Sequence, residues 1–176
     1  MKLKGLLYNI RALIIGGKNI HMNIFKVHLG KINLEFGKKA YLKIGDGFGT
    51  RNNITFHVSG VVKIGEDVFV NEGCKFNCRN SIVVGKGTRI GQNVLFYDHD
   101  HDYKSDDMQN RFIEGKIEIG SNVWIGSGCI ILRDVILGDN SVVAAGTVLS
   151  KGVYPANSLI YCKREICNHE IISYKE

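Results

Sequence analysis

The feature that most constrains the fold of this 176-residue chain is a sequence repeat with a period of six. In the second half of the chain, an aliphatic residue recurs at every sixth position, and a small or β-branched residue follows four places after each. In the first half the step is looser, and an aliphatic-glycine pair recurs every twenty residues, at 44–45, 64–65 and 84–85. The aliphatic positions are Ile119, Ile125, Ile131, Leu137, Val143 and Leu149, and the smaller residues are Val123, Cys129, Val135, Ser141, Thr147 and Val153.

A period of six fits neither a helix of 3.6 residues per turn nor a run of alternating strands. It fits a coil with three short flat faces, in which about eighteen residues complete one turn. Stacked turns would form parallel sheets about 4.8 Å apart, with the aliphatic side chains filling a narrow triangular interior. Glycine, Asn and Asp are expected at the corners, as in 91–93, 120–122 and 138–140, because these residues tolerate positive φ.

Composition excludes several other classes of protein. Twenty-one glycines and one proline argue against a helical bundle and against a proline-rich disordered chain. No apolar run reaches the roughly 18 residues of a membrane-spanning helix, and no signal peptide indicates export. Basic residues are not interleaved with stacking aromatics, so nucleic acid is not an expected partner. The cysteines form no Cys-x-x-Cys pair, which favours buried free thiols in a reducing cytoplasm. They are Cys74, Cys78, Cys129, Cys162 and Cys167.

The N-terminal segment differs from the repeat in both charge and pattern. Residues 1–43 contain nine Lys or Arg and one acid, Glu35. Within 2–15, apolar residues follow a helical spacing, with Lys2, Lys4 and Arg11 off the stripe. We expect a short helix whose stripe caps the open base of the coil; the alternative is a basic amphipathic helix on an anionic membrane surface. The stripe contains Leu3, Leu6, Leu7, Ile10, Leu13 and Ile14.

Three segments resemble the hexapeptide-repeat acyltransferases. They are Ile-Gly-Ser-Asn-Val-Trp-Ile-Gly-Ser-Gly-Cys-Ile-Ile-Leu at 119–132, the segment from Leu137 to Lys151, and Tyr-Pro-Ala-Asn-Ser at 154–158. The chain is most similar to maltose or galactoside O-acetyltransferases and to capsule or O-antigen O-acetyltransferases. The resemblance implies a left-handed parallel β-helix, a homotrimer and acetyl-CoA as donor. It divides the chain into an N-terminal helix and irregular first coils (1–43), the β-helix (44–160) with a loop at about 97–116, and a C-terminal tail (161–176).

The loop that interrupts the repeat is the candidate active site. Its first part reads Tyr-Asp-His-Asp-His-Asp-Tyr, at 97–103. An imidazole has an ordinary pKa near neutral pH and can accept the proton of a hydroxyl that attacks a thioester. The resemblance implies His101 as this general base, with His99 as the alternative. A carboxylate could fix the tautomer, but alternation along an extended chain should turn Asp98, Asp100 and Asp102 away from the histidines. Asn71, Glu72 or Asn77 from another coil is an equally good partner.

The resemblance also implies a donor site and an acceptor site. Small side chains would let the pantetheine arm lie against the coil, a lysine would meet a CoA phosphate, and a glycine N–H would serve as oxyanion donor. After Ser158, the segment at 159–165 lacks the glycine and proline with which related enzymes close over CoA, although Lys163 and Arg164 could meet phosphates. The donor-site residues are Trp124, Gly126 (the oxyanion donor), Ala144, Ala145, Lys151 and Lys163. The acceptor-site residues are Asn71, Asn77, Asp98, Asp100 and Tyr103.

The function predicted from the sequence is transfer of an acetyl group from acetyl-CoA to a hydroxyl of a saccharide, with no metal required. An amine of an amino sugar is an alternative acceptor. A cell-surface polysaccharide precursor at the inner face of the membrane is preferred, because the basic N-terminal helix could hold the enzyme near lipid-linked substrates. Two other functions stay open. One is a zinc lyase similar to the gamma-class carbonic anhydrases, with His57, His99 and His101 as ligands. The other is a non-catalytic binding module.

Overall fold

The computed structural model describes residues 3–163, and within them three parallel sheets form the faces of a continuous coil. Sheet A contains β1 (Ile20–His21), β3 (Tyr41–Ile44), β6 (Val61–Ile64), β9 (Ser81–Val84), β14 (Lys116–Ile119), β17 (Val135–Leu137) and β20 (Gly152–Tyr154). Sheet B contains β4 (Gly49–Thr50), β7 (Phe69–Val70), β10 (Arg89–Ile90), β15 (Trp124–Ile125), β18 (Val142–Val143) and β21 (Leu159–Ile160). Sheet C contains β2 (Ile32–Phe36), β5 (Ile54–Val58), β8 (Lys75–Cys78), β11 (Leu95–Tyr97), β16 (Ile130–Ile131) and β19 (Val148–Leu149).

Three further elements lie outside these sheets. Helix α1 (Leu3–Gly16) and a short 3-10 turn (Gly17–Asn19) precede the first coil. The strands β12 (His99–His101) and β13 (Phe112–Glu114) form an antiparallel hairpin in the loop. No helix within residues 3–163 is long and apolar enough to span a membrane.

The interior of the coil is filled by the residues that the period of six selects. All six aliphatic positions between Ile119 and Leu149 are buried, and so are the smaller residues from Val123 to Thr147. Val153 is an exception at 74% exposed, so the prediction that it faces inward is wrong. Its neighbour Tyr154 pairs with Leu137 and takes the inward position, because the last coil is one residue shorter than the coils before it.

The irregular first half of the repeat reflects longer coils. In sheet A, Val62 pairs with Leu42 and Ile82, which lie twenty residues away on either side, whereas Ile117 pairs with Val135 after eighteen. In the longer coils, one more inward residue follows the buried phenylalanine of sheet C before the chain turns. Val58 and Cys78 occupy this position and are buried. The spacing of twenty in the sequence is therefore the length of one early coil.

The glycines that follow the aliphatic residues are required by close packing between coils rather than by positive φ. A Cβ atom on Gly85 would lie 2.5 Å from the carbonyl carbon of Gly120 in the next coil, and one on Gly65 would lie 2.7 Å from the N of Lys86. The left-handed conformation occurs two residues further on, at residues such as Asn93 and Asn122, as the corner pattern predicts. Two positions of the same corner, two residues apart, thus carry different constraints.

Helix α1 packs on the coil through a different face from the one predicted. Asn9 and Ala12 are buried, while Leu7 and Ile14 are exposed by 58% and 77%. The Asn9 amide donates to the main-chain carbonyls of Ile24 and Val27 at 2.7 and 2.9 Å. The helix is confirmed, but the prediction that its whole leucine-isoleucine stripe covers the coil is wrong. Leu13 packs on the core together with Tyr8, Asn9 and Ala12, whereas Leu7, Ile10 and Ile14 face outward.

Cys74, Cys78 and Cys129 are buried free thiols, as predicted, and Cys162 is an exposed one. Burial raises the pKa of the Cys74 thiol to about 11, so it is protonated at neutral pH. Cys167 lies outside the described residues.

We predict that Gly85→Ala destabilises the protein, because the new methyl group meets main-chain atoms of 120–121 that cannot move without separating two successive coils. The expected loss in the free energy of unfolding is about 1–3 kcal/mol, measured by chemical denaturation. Gly152→Ala is the matched control, since its Cβ would lie no closer than 3.6 Å to any neighbour. Equal stability of the two variants would contradict the close-packing explanation.

Candidate active site

The chain leaves the coil after β11 and returns at β14, with the hairpin β12–β13 projecting between them. In this hairpin His99 lies opposite Glu114 and His101 lies opposite Phe112. Both imidazoles contact the Phe112 ring, with centroid distances of 5.5 Å for His99 and 4.5 Å for His101. The two predicted histidines are therefore ordered by secondary structure of the loop itself.

Two arginines hold the hairpin against the coil, one from each side. The Arg79 guanidinium lies 3.6 Å from the centroid of the Phe112 ring, and its Nε donates to Glu114 at 3.3 Å. From the following coil, Arg133 Nε donates to Asp100 at 2.6 Å. The loop is thus a clamped hairpin, and Asp100, an expected acceptor-site residue, is part of the clamp.

The base of the loop is fixed by the buried carboxylate of Asp98. In the preceding coil, the corner N–H groups of Ser59 and Val61 donate to the carbonyls of Cys78 and Asn80 at 2.8 and 2.9 Å. One coil later the chain leaves the coil to form the loop, so the corresponding N–H groups of 79–81 do not meet main-chain carbonyls of a following corner. The carboxylate of Asp98 accepts instead from three consecutive N–H groups. The donors are Arg79 at 2.9 Å, Asn80 at 2.8 Å and Ser81 at 2.8 Å.

Asp98 also contacts His99, contrary to the expectation that alternation would separate them. His99 Nδ1 lies 2.9 Å from Asp98 Oδ1. Alternation fails here because Asp98 occupies the last inward position of the coil, whereas His99 begins a new hairpin. Burial by itself raises the pKa of Asp98, but hydrogen bonds from His99, from the N–H groups of Arg79 and Asn80 and from the Cys78 thiol lower it below its ordinary value. The ionised carboxylate therefore accepts from Nδ1–H and leaves the Nε2 lone pair of a neutral His99 free.

His101 has the same tautomer by a different contact. Its Nδ1 lies 2.8 Å from the main-chain carbonyl oxygen of Met108, which can only accept. The Nε2 lone pair of the neutral ring is again free to take a proton. His101 is exposed, whereas the side chain of His99 is 19% exposed. Both histidines can therefore accept a proton at Nε2, and they differ in how exposed their side chains are.

A surface cavity of about 380 Å³ lies beside His99, along the outer edge of sheet C. Paired positions of four stacked strands place Glu35, His57, Asn77 and Tyr97 in one row along it. His57 bridges this row, with Nε2 3.2 Å from Glu35 Oε1 and Nδ1 3.1 Å from Asn77 Oδ1. The row offers carboxylate, imidazole, amide and phenol groups to a polar ligand, and we call this space the acceptor cavity.

The other expected acceptor-site residues do not line this cavity. Asn71 and Glu72 lie on a separate cavity with Gln92, and the Asn71 side chain accepts from the N–H of Glu72 at 2.9 Å. Tyr103 is 74% exposed, with the Lys104 ammonium 5.7 Å from its ring centroid. Of the predicted acceptor residues, the structure brings Asn77 together with His99, and Asp98 lies buried behind them.

Most of the expected donor-site residues lie on sheet B and at the corner that leads to sheet C. Lys151 is the exception: it follows β19 at the corner where the loop leaves the coil, with its ammonium 3.9 Å from Asp134. Trp124 is 59% exposed, and Ala145 is exposed at the corner. The expectation that Gly126 supplies the oxyanion donor is wrong, because its N–H donates to the Val143 carbonyl at 2.8 Å. The N–H of Ala145, by contrast, has no acceptor within residues 3–163. The remaining members of this set are Ala144, which is half-buried, and Lys151 and Lys163, which are exposed.

Within one chain, the donor-site residues other than Lys151 lie on sheet B or at its corner with sheet C, whereas the loop leaves from the other edge of sheet C. The strands of sheet C begin at the corner that holds Ala145 and end at the corner where Asp98 and the loop begin. None of the cavities described above contains residues of both sets. Arg164, expected near the CoA phosphates, lies outside the described residues.

The histidines of the zinc alternative do not form a ligand set. His57 contacts Glu35 and Asn77, His99 contacts Asp98, and His101 contacts a main-chain carbonyl. In the part of the chain that the structure describes, no three His, Cys, Asp or Glu side chains are arranged to hold a metal ion.

The row along the cavity was not predicted from the sequence, although Asn77 was expected at the acceptor site and one signal for the row was present. His57, Asn77 and Tyr97 are separated by twenty residues, the same interval as the aliphatic-glycine pairs. Residues separated in sequence by the length of one coil lie in adjacent strands, so this interval places the three side chains in one row. The arginines that clamp the hairpin, Arg79 and Arg133, carry no comparable signal.

Residues 116–151 match the protein family described as bacterial transferase hexapeptide (six repeats). Residues 116–151 therefore contain this hexapeptide repeat, and the resemblance seen in the sequence is confirmed. The chain spans about half the length of the curated relatives it matches. Among them, the galactoside O-acetyltransferase of Escherichia coli (strain K12) is 27% identical over 119 residues, which cover 67% of this chain and 59% of that protein.

Solved structures of similar fold extend over most of the chain. A maltose O-acetyltransferase from Clostridium difficile 630 has a TM-score of 0.52 at 22% identity, covering 91% of this chain and 82% of that chain. A variant of AntD, an N-acyltransferase from Bacillus cereus in complex with dTDP-4-amino-4,6-dideoxyglucose and coenzyme A, has a TM-score of 0.63 at 16% identity, covering 79% and 77%. These similarities confirm the predicted left-handed parallel β-helix.

We predict that Asp98→Asn destabilises the corner beneath the loop, because the amide turns an NH₂ group toward N–H donors that need an acceptor. The free energy of unfolding should fall by about 2–4 kcal/mol at neutral pH. Since the pKa of Asp98 lies below its ordinary value of 3.8, the stabilisation is present above that pH and is lost as the pH falls through the lowered pKa. The difference between wild type and variant should therefore shrink in acid.

Chemical denaturation at several pH values measures this difference. Asp106→Asn is the control, since this exposed carboxylate lies in the same loop. A neutral effect of Asp98→Asn at pH 7 would show that the carboxylate does not hold the corner.

Proposed function

We propose that the protein is an acyl-CoA-dependent O-acetyltransferase that moves an acetyl group from acetyl-CoA to a hydroxyl of a saccharide. The observation that carries the proposal is a clamped loop with two imidazoles, each with Nδ1–H committed and Nε2 free, beside a polar cavity. The relatives named as galactoside and maltose O-acetyltransferases support the reaction class. The AntD structure, with a sugar nucleotide and coenzyme A bound, supports the pairing of substrates.

The general base in this proposal is His101, and His99 is an acceptor-cavity residue held by Asp98. Apart from Lys151, the donor residues lie on sheet B or at its corner with sheet C, whereas the acceptor cavity lies at the other edge of sheet C, so the thioester approaches the loop from outside the cavity. His101 is exposed on the loop, whereas His99 lines the cavity together with Asn77. A hydroxyl on an acceptor in the cavity would then lie between the cavity wall and the base.

In the reaction, His101 Nε2 takes the hydroxyl proton while the hydroxyl oxygen attacks the thioester carbonyl carbon. The resulting oxyanion needs a donor, and the N–H of Ala145 replaces Gly126 in this role. Collapse of the tetrahedral species breaks the carbon–sulfur bond, and the imidazolium returns its proton to the departing thiolate. Trp124, Ala144, Lys151 and Lys163 remain proposed contacts of the donor.

We further propose a homotrimer, in which the loop of one chain faces the donor corner of the next. This arrangement joins two sets of residues that a single chain keeps apart. In a cyclic oligomer, every loop faces the donor corner of a neighbouring chain, and no loop or donor corner is left without its counterpart. Three buried free thiols fit a reducing compartment, and we propose that the protein works in the cytoplasm.

We predict that His101→Ala lowers kcat/KM by about 10²–10⁴-fold, the contribution of a placed general base. Release of free thiol from acetyl-CoA is followed with a panel of neutral saccharides and amino sugars as acceptors. His28→Ala is the control, because this exposed histidine lies away from the loop. A larger loss in His99→Ala than in His101→Ala would transfer the role of base to the Asp98–His99 pair, and full activity of both variants would refute a histidine base.

We also predict that two inactive variants restore each other when co-expressed. His101→Ala removes the loop function, and Ala145→Trp blocks the donor corner at an exposed position. If each site joins two chains, randomly mixed trimers contain about one quarter wild-type sites, and about that fraction of activity should return. The separate variants provide the baselines. No recovery in mixed trimers, with their assembly verified by two affinity tags, would place both sets in one chain.

A further inference from the structure

Helix α1 presents an apolar face that nothing in the described structure covers. Leu7, Ile10 and Ile14 lie on one side of the helix and are exposed by 58%, 38% and 77%. The opposite side, with Asn9 and Ala12, packs on the first coils. Residues spaced by three and four along a helix form one stripe, so these three side chains make a continuous outer face.

The surroundings of this outer face are basic. Arg11 and Lys18 are exposed on and just after the helix, and Lys31 lies with Arg11 around a crevice between α1 and β2. Lys38 and Lys39 are exposed in the turn after β2. The one acid of residues 1–43 is Glu35, which pairs with His57 on the acceptor cavity. Arg11 and Lys31 therefore lie beside the helix, and Lys18, Lys38 and Lys39 add exposed positive charge without compensating charge from this segment.

We propose that the outer face of α1 docks this protein on an anionic lipid surface. A helix with an apolar stripe bordered by Lys and Arg lies in the plane of a membrane interface, with its apolar residues among the acyl chains and its cations at the headgroups. A second copy of the same face is a poor occupant, because two faces with the same strong positive charge repel each other.

The docking face and the acceptor cavity share one strand. In β2, Leu34 lies against α1, while Glu35 and Phe36 line the acceptor cavity. Three strand spacings separate β2 from β11, which puts His99 roughly 14 Å along the coil axis from the strand that contacts the helix. A docked protein would hold the acceptor cavity close to the headgroups, which suits a lipid-linked saccharide. That consequence rests on the proposed function, whereas docking does not.

The test is sedimentation of the full chain with vesicles of phosphatidylcholine alone or mixed with phosphatidylglycerol. Wild type should bind the mixed vesicles and release them as the salt concentration rises. Leu7→Ser/Ile14→Ser should weaken binding at least about tenfold, because two apolar side chains no longer enter the lipid. Both side chains are exposed, so the fold should tolerate the change, which is verified by thermal melting.

Ile136→Ser/Val153→Ser is the matched control, since these exposed apolar residues lie in sheet A at the far end of the coil. Its binding should equal that of wild type. Equal binding to both kinds of vesicle, or unchanged binding by the helix variant, would overturn the proposal. The proposal would also fail if wild type did not bind vesicles and the helix variant differed from wild type in mass by light scattering. That result would assign the face to contacts between copies of the chain. Thiol release, assayed separately, tests the reaction independently of docking.

Discussion

The close stacking of successive coils is the constraint on which the rest of the structure depends. Parallel strands in neighbouring coils are about 4.8 Å apart, and the main chain at the corners comes closer than a Cβ atom allows. Gly65, Gly85 and Gly120 lie at such corners, where a side chain would contact main-chain atoms of the next coil. Main-chain hydrogen bonds join each coil to its neighbours on three faces. A residue therefore lies directly above the residue that precedes it by the number of residues in one coil. Side chains separated by that length are forced into rows, whatever their chemistry.

The loop shows how such a structure tolerates an interruption. When the chain leaves the coil, the corner N–H groups of the coil below lose the carbonyls that would have satisfied them, and buried unsatisfied donors are costly. Asp98 supplies its carboxylate at the position that Val58 and Cys78 occupy in the two preceding coils. The same carboxylate then accepts from His99, so the group that repairs the coil also orients an imidazole. Structural and chemical roles meet in one residue because the loop must begin where the repeat ends.

The parts of the fold that the sequence predicted are those fixed by the axial repeat. Burial from Ile119 to Leu149, the corner asparagines and the position of the loop all follow from spacing alone. The row of His57, Asn77 and Tyr97 was equally accessible from the interval of twenty. The buried face of the helix was not accessible in this way, because Asn9 packs inward to bond main-chain groups of Ile24, Val27 and Leu29, which are brought beside the helix only by the folded chain. Gly126 failed for a related reason, since its N–H is used by the ladder that the repeat itself builds.

The separation of the histidine loop from the donor corner has a geometric origin. A three-sided coil turns every six residues, so consecutive corners lie at opposite edges of one face, and no single groove can contain both. An enzyme built on this fold must either bend a long insertion around the face or take the second half of the site from a neighbour. Here Arg79 and Arg133 clamp the hairpin in place, and Asp98 fixes its base, so the loop is held at its own corner. In the proposed homotrimer, a loop anchored in this way receives the donor corner from the neighbouring chain.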